Sequence, residues 1–273
     1  MNMILFPDGW TDYELIDTGE GKKLERWGNY VMVRPDPRII WGEKRPEEWE
    51  KAGAVFEGEK WTFRNPPPQN WVVSYKDIKF KLKPTDFKHT GVFPEQAVNW
   101  EWLPRAEKVL NLFAYTGGAT IAAAQKGAFV THLDASKPAI SWAKENAKLS
   151  GIEENKIRWI EDDALKFVKR EIKRGNKYDG IIMDPPRFGR GTSGEVWKIE
   201  ENIREMVQAC KEILSPNPTF FLINAYTADL SHVAIENLLS DVLGKKVESG
   251  EVGIRESEGE RILPAGVFAR WKN

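Results

Sequence analysis

The chain has 273 residues, a formal net charge of −1 and a single cysteine. The length is sufficient for one large domain and a smaller one, and the near-zero charge excludes a strongly basic nucleic-acid binder. A single cysteine cannot form an intramolecular disulfide, and the absence of disulfides is typical of proteins in a reducing compartment. We expect a cytoplasmic protein, since no apolar run reaches the length of a membrane span and the first residues do not resemble a signal peptide.

The first 86 residues are predicted to form a small β-rich module. They contain six of the twelve tryptophans and many turn residues, including three consecutive prolines at 66–68. Over 78–83, Ile78, Phe80 and Leu82 alternate with lysines. This period of two is typical of a strand with one buried face.

Residues 87–273 are predicted to form an α/β domain. Strands are predicted at 108–112, 129–133, 157–160, 180–183 and 219–223, and helices at 137–149, 200–214 and 230–243. Strands that alternate with helices indicate a mostly parallel, Rossmann-like sheet with both faces covered. Two final strands, at 247–254 and 266–271, are joined by a short loop, which predicts an antiparallel last strand.

Two of these strands end in residues suited to ligand binding. The first strand runs into a small turn with Gly117 and Gly118 and continues as an alanine-rich helix. In an α/β sheet this edge binds nucleotide-like ligands, and glycine permits a close approach of the ligand to the backbone. The fourth strand ends in Asp184 and two prolines, which hold the chain extended. We therefore expect Asp184 and Phe188 beside the glycine turn.

Residues 111–120, together with Asp184-Pro185-Pro186-Arg187-Phe188, resemble the class I S-adenosylmethionine-dependent methyltransferases. They are most similar to the branch that contains the large-subunit ribosomal RNA base methyltransferases. The likeness extends over residues 87–273. It implies S-adenosylmethionine as the cofactor and ribosomal RNA as a transient substrate.

The resemblance also implies cofactor contacts from four segments. The segment before the first strand would cover the methionine end of the cofactor, with Thr90, Phe93, Glu95 and Gln96. Glu95 and Gln96 lie at a predicted helix start, whose free N–H groups favour the cofactor's carboxylate. The turn would contribute Asn111, Phe113, Ala114, Tyr115, Thr116, Gly117 and Gly118. The end of the second strand would hold the ribose hydroxyls, with Asp134, Ala135 and Ser136. The end of the third strand would read adenine, with Asp163 and Ala164.

Some of these residues have a structural alternative. Asp134 or Ser136 could cap the helix that follows the second strand. Either Asp162 or Asp163 could read adenine, and the other would then cap the next helix. Glu95 could be an acidic first-turn residue with no ligand.

Three residues are predicted to act on the methyl acceptor. Asp184 could accept a hydrogen bond from the substrate or from the cofactor's ammonium group, and Asn224 could serve an exocyclic amine. Phe188 could stack on a flipped base or simply pack in its loop. Candidates for phosphate contacts are Lys88, Arg187 and Arg190.

Cys210 bears on the type of reaction. Methylation at carbon 5 of cytosine needs a thiolate, and the cytosine-5 members of this branch carry their cysteine after the fifth strand. That stretch, 221–226, has none, and Cys210 lies at helical spacing with Ile203 and Met206. Apolar residues at this spacing form the buried face of a helix, so we expect Cys210 to be core and the mechanism to be independent of cysteine.

Other classes of function stay open. The same fold could methylate a small molecule or a protein, and a binding protein could hold the cofactor without turnover. A nicotinamide-dependent oxidoreductase is disfavoured because the full G-x-G-x-x-G pattern is absent. Three histidines without a cysteine cluster predict no metal site.

Overall fold

A computed structural model describes residues 3–191, 194–226 and 230–273. The chain divides into two compact units. The larger unit consists of Met1–Leu5, Val98–Val252 and Gly266–Asn273, and the smaller of Phe6–Ala97 and Gly253–Ala265. The domain boundary predicted between residues 86 and 87 stays a prediction, and the compact units divide differently, after Ala97 and with a C-terminal segment joining the smaller unit.

The described elements follow in chain order. The first eight strands are β1 (Ile4–Leu5), β2 (Tyr13–Gly19), β3 (Lys22–Trp27), β4 (Tyr30–Pro35), β5 (Ala54–Glu57), β6 (Lys60–Phe63), β7 (Val72–Tyr75) and β8 (Ile78–Lys81). The later strands are β9 (Lys108–Leu112), β10 (Phe129–Asp134), β11 (Ile157–Glu161), β12 (Gly180–Met183), β13 (Phe188–Arg190), β14 (Val196–Lys198), β15 (Phe220–Ala225), β16 (Glu248–Arg255) and β17 (Ile262–Lys272). The helices are α1 (Pro46–Trp49), α2 (Ala97–Trp102), α3 (Gly118–Gln125), α4 (Lys137–Leu149), α5 (Ala164–Arg174), α6 (Ile199–Glu212) and α7 (His232–Leu243).

The larger unit is built on an eight-stranded sheet with the order β1-β16-β17-β15-β12-β9-β10-β11. Strand β9 lies inside the sheet and pairs in parallel with both β10 and β12. Strand β17 pairs antiparallel with β15. The predicted Rossmann-like sheet with an antiparallel last strand is therefore confirmed.

Both faces of this sheet are covered by helices. Helices α5, α6 and α7 supply Phe167, Met206, Cys210 and Leu239 to one buried cluster, together with Leu110 of β9. Helices α3 and α4 contact β10 on the other side. Side chains alternate along a strand, so Asn111 faces away from this cluster. The parallel strands consist mostly of apolar residues because both faces of the sheet are buried under helices.

The register determines where the predicted site residues meet. Leu112 at the end of β9 pairs with Leu133 on β10 and with Met183 on β12. The three strands are parallel, so the residues that follow them lie at one edge of the sheet. Asp134 and Asp184 thus flank the turn that follows β9.

The smaller unit contains a five-stranded sheet, β2-β3-β4-β5-β6, and the hairpin β7–β8. The predicted alternation over 78–82 is confirmed, because Ile78, Phe80 and Leu82 are buried. The interior of the unit also contains an ion pair. The carboxylate of Glu25 is fully buried and accepts two hydrogen bonds from Arg34, at 2.7 and 3.0 Å. A buried charge needs such a paired and hydrogen-bonded partner.

Within the described ranges, no helix is long and apolar enough to cross a membrane. The same residues contain no group of three acidic, histidine or cysteine side chains that could hold a metal ion.

Gly180 provides a test of the close packing between β12 and β15. A Cβ at this position would overlap the ring of Phe220, which is itself fully buried. We expect Gly180→Ala to lower the free energy of unfolding by about 1–3 kcal/mol, because overpacking a filled core forces backbone shifts. Gly42→Ala is the control, since its Cβ would meet only the end of the Glu20 side chain, at 3.3 Å. Urea unfolding measures both, and an unchanged Gly180→Ala midpoint would contradict the expected overlap.

Candidate active site

The turn after β9 has an unusual backbone. Phe113, Tyr115 and Gly117 have φ angles of 56°, 48° and 89°. The left-handed region suits glycine, whereas each non-glycine residue there costs about 1–3 kcal/mol. Neighbouring backbone offsets this cost, since the N–H of Ala114 donates to Leu133 at 3.0 Å. Strain of this kind occurs where a backbone is shaped for a ligand.

Each of the two glycines in this turn has a structural reason of its own. Gly117 is needed for its positive φ. At Gly118 a Cβ would lie 2.6 Å from the indole ring of Trp100, on α2. Close packing against Trp100 therefore requires glycine at position 118, and the predicted approach of a ligand to this turn stays a prediction.

Asp134 is the residue that ties the turn to β10. Its Oδ2 accepts the N–H of Tyr115 at 2.8 Å, and its Oδ1 accepts the N–H of Ser136 at 2.8 Å. Burial raises the pKa of this half-buried carboxyl, and the backbone donors partly oppose the rise. Each carboxylate oxygen can accept a second hydrogen bond. The pair of oxygens is thus suited to the two adjacent hydroxyls of a ribose.

The cap of the following helix is Ser136, whose hydroxyl accepts the N–H of Ala139 at 3.3 Å. The helix cap is therefore Ser136 and not Asp134, whose structural contacts are those with the Tyr115 and Ser136 N–H groups. Ala135 is half-buried and Ser136 is exposed, and their contacts with the cofactor stay predictions.

Asn111 lies beneath the turn and not in it. Its side-chain amide is buried and donates to Thr120 Oγ1 at 2.8 Å. Thr120 in turn contacts His132 Nδ1 at 2.9 Å. Burial lowers the pKa of His132 to about 3, so the ring is neutral at physiological pH. Asn111 thus supports the first turn of α3, and its predicted contact with the cofactor stays a prediction.

The two acidic residues after β11 have separate contacts. Asp163 caps α5, with its Oδ1 accepting the N–H of Lys166 at 2.9 Å. Asp162 forms an ion pair with Arg170. Asp163, the residue predicted to read adenine, therefore caps the helix. The sequence had favoured Asp162 for this cap. A role of Asp163 and Ala164 toward adenine stays a prediction.

Asp184 and Asn224 are brought together at the ends of β12 and β15. Asn224 Nδ2 donates to Asp184 Oδ1 at 3.0 Å, and the Asp184 N–H approaches the carbonyl of Leu112 at 3.4 Å. Burial raises the pKa of Asp184 to about 6, against the lowering effect of the Asn224 hydrogen bond. A carboxyl group with a pKa raised in this way is a candidate for a functional site.

Phe188 begins β13 and is 56% exposed. It belongs to the small antiparallel hairpin β13–β14, where it pairs with Lys198. The indole of Trp197 anchors this hairpin by donating to the Pro186 carbonyl at 2.7 Å, and it packs on Phe113 with ring centroids 5.0 Å apart. Sequence reasoning missed Trp197, which lies outside every recognised motif.

The segment with Thr90, Phe93, Glu95 and Gln96 belongs to the smaller unit. A three-residue 3₁₀ turn replaces the predicted helix start, and the Gln96 N–H donates to the Phe93 carbonyl at 3.1 Å. That N–H is therefore bonded within the turn. Glu95 and Thr90 are buried, and the Thr90 hydroxyl has no hydrogen-bond partner among the described residues. The cofactor contacts of these four residues stay predictions.

The sheet order, the antiparallel last strand and the strained turn define a Rossmann-like methyltransferase domain. Comparison with known proteins agrees: the model of the S-adenosylmethionine-dependent methyltransferase family matches residues 58–241. The chain belongs to this family. Its cofactor is S-adenosylmethionine, and the acceptor oxygens of Asp134 suit the ribose of that molecule.

Relatives of known name and structure extend this result. A crystal structure of the S-adenosylmethionine-dependent methyltransferase from Agrobacterium tumefaciens is 42% identical, with a TM-score of 0.94 over 99% of this chain and 93% of that one. The ribosomal RNA large subunit methyltransferase K/L of Shewanella frigidimarina is 37% identical over 54% of this chain and 21% of its own length. The ribosomal RNA large subunit methyltransferase I of Aeromonas salmonicida is 27% identical over 75% of this chain and 48% of its own length. The chain thus spans less than half of these two curated relatives.

The ribose assignment of Asp134 can be tested by calorimetry with S-adenosylhomocysteine. We expect Asp134→Ala to weaken binding by about 1.5–3 kcal/mol, the usual scale for hydrogen bonds to a charged group. Asp134→Asn should lose less, because it keeps one acceptor oxygen. The control is Asp241→Ala, at an exposed position of α7. If Asp134→Ala binds as tightly as the parent, the assignment is wrong.

Proposed function

We propose that this enzyme methylates a base of ribosomal RNA in the cytoplasm, by a mechanism without a cysteine nucleophile. The observation that carries the proposal is the pairing of Asp184, a half-buried acceptor, with the exposed ring of Phe188 four residues later. Such a pair can orient the polar edge of a planar base and stack on its face. The printed names of the relatives from Shewanella and Aeromonas support the same substrate class.

The cofactor supplies an electrophilic methyl group, so the protein has mainly to align the acceptor. We assign Asp184 and Asn224 to this task. An ionised Asp184 can accept a hydrogen bond from an exocyclic amine and can receive its proton as the new C–N bond forms. A ring nitrogen with a free lone pair needs no such base, and Asp184 then orients a neighbouring N–H of the same ring.

The charges near the hairpin are consistent with a weakly held RNA. Arg187 and Arg190 are exposed on either side of Phe188, and Arg187 lies 3.4 Å from Glu200. Lys88, the third predicted phosphate contact, donates to the Pro35 carbonyl at 3.1 Å within its own unit. We therefore retain only the two arginines as candidates for phosphate contacts.

Methyl transfer from tritiated S-adenosylmethionine into separated ribosomal RNA, protein and small metabolites tests the proposal. We expect the label in ribosomal RNA, and nuclease digestion should release it as a methylated base. Label in protein or in metabolites alone would contradict the RNA substrate, while leaving the family assignment unchanged.

Phe188 should act on the acceptor and not on the cofactor. Base stacking on an aromatic ring contributes about 1–3 kcal/mol, so we expect Phe188→Ala to lower kcat/KM for RNA by about fivefold to a hundredfold. Affinity for S-adenosylmethionine should stay within about twofold, because only the acceptor loses a contact. The matched control is Val196→Ala, a 50% exposed apolar residue of the same hairpin. Equal losses in both measurements would move Phe188 into the cofactor pocket.

Cys210 should be dispensable for methyl transfer. It is fully buried among the core residues of α6, and burial raises the pKa of its thiol, which disfavours the nucleophilic thiolate. We expect Cys210→Ser to retain transfer within about twofold and to lose some stability from the buried hydroxyl. Cys210→Ala is the control that avoids the polar group. A covalent adduct between Cys210 and RNA containing 5-fluorocytosine would overturn this assignment.

A further inference from the structure

A line of buried polar side chains continues behind Asp184 and Asn224. Asn224 Oδ1 accepts from Asn99 Nδ2 at 3.3 Å, and Asn99 Oδ1 accepts from a terminal nitrogen of Arg270 at 3.5 Å. Asn99 and Asn224 are 1% and 2% exposed. The line therefore runs from the candidate active site through α2 to β17.

Arg270 can only donate hydrogen bonds, and this limits how the amides of Asn99 and Asn224 can be oriented. A guanidinium has five donors and no acceptor, so the group facing it must be the carbonyl oxygen of Asn99. The NH₂ group of Asn99 then faces Asn224, which must present its own carbonyl oxygen. Only the NH₂ group of Asn224 is left to face Asp184. The donors of Arg270 are thus compatible with one orientation of both amides.

Arg270 is held firmly in place. Its guanidinium carbon lies 4.8 Å from the ring centre of Trp102 and 4.4 Å from that of Phe268. A second terminal nitrogen donates to Glu248 at 2.7 Å. Both rings and the carboxylate favour the cation, which offsets the cost of burying it.

We propose that Arg270 is a positioning residue: through Asn99 it orients the Asn224 amide so that Asp184 faces the methyl acceptor as an ionised hydrogen-bond acceptor. The role toward the acceptor rests on the proposed function, whereas the orientation of the amides does not. A reversed Asn224 would turn its carbonyl oxygen toward Asp184. Two acceptors in contact are tolerated only when the carboxyl group is protonated.

The protonation state of Asp184 therefore reports the orientation. Burial raises the pKa of Asp184, and the Asn224 hydrogen bond lowers it. A hydrogen bond donated to the carboxylate lowers the pKa, so loss of the Asn224 donor raises it. The fraction of ionised Asp184 near neutral pH then falls.

The test is an NMR titration of the intact protein labelled with [13Cγ]aspartate, with Asp184→Asn used to assign the resonance. The parent should titrate near pH 6. Arg270→Met should raise the midpoint by about one unit or more, the scale of a lost charge-assisted hydrogen bond. Arg270→Lys should keep the midpoint, because lysine also has donors and no acceptor.

Lys272→Met is the matched control, since it removes a cation of the same strand that lies 5.2 Å from the ring centre of Trp102. It should leave the midpoint unchanged. If Arg270→Met does not fold, Arg270→Gln replaces it, because glutamine can accept as well as donate and no longer imposes a direction. An unchanged midpoint in the Met or Gln variant, or an equal shift in the Lys variant, would overturn the proposal.

Activity supplies a second readout. With ribosomal RNA as the acceptor, a midpoint shift of one unit in Arg270→Met should lower kcat by about twofold at pH 7 and about fivefold at pH 6, because the ionised fraction of Asp184 falls by these factors. The Kd for S-adenosylhomocysteine should stay within about twofold. Arg270→Lys should restore kcat. The titration needs neither cofactor nor acceptor. If the parent does not methylate RNA, the proposed function is refuted. The orienting role of Arg270 is then decided by the titration alone.

Discussion

The hydrogen bond from the Tyr115 N–H to Asp134 connects the strained turn after β9 to the end of β10. Together with the Ala114 N–H, which donates to the carbonyl of Leu133, it opposes the conformational cost of the left-handed backbone at Phe113 and Tyr115. The same carboxylate offers acceptors to a ribose. One side chain thus contributes both to the shape of the turn and to the predicted ribose contact, so a substitution at Asp134 would affect both.

The parallel strands and the helices between them could be predicted from the sequence, because apolar runs and turn residues are local signals. Strand β9 and helix α4 have the predicted bounds. Asp184 was also predictable, since a polar residue directly after a buried strand must lie at the sheet edge. These inferences need only the order of residues along the chain.

Other features depend on contacts between distant residues. The reason for Gly118 is the ring of Trp100, and the cap formed by Asp163 was a choice between two adjacent carboxylates that no pattern distinguishes. The link between Asn224, Asn99 and Arg270 joins positions up to 171 residues apart. A single sequence carries no signal for such a contact, so only the folded chain reveals it.

The burial of Cys210 also makes the folded chain inert to thiol reagents. The protein contains no other cysteine, and this one has no solvent exposure and lies in the core between α6 and the sheet. A reagent can reach the sulfur only when the surrounding core opens. The rate of its alkylation is thus a built-in measure of how often that core opens, and a cysteine introduced at the surface would be the sole reactive site for a spectroscopic label.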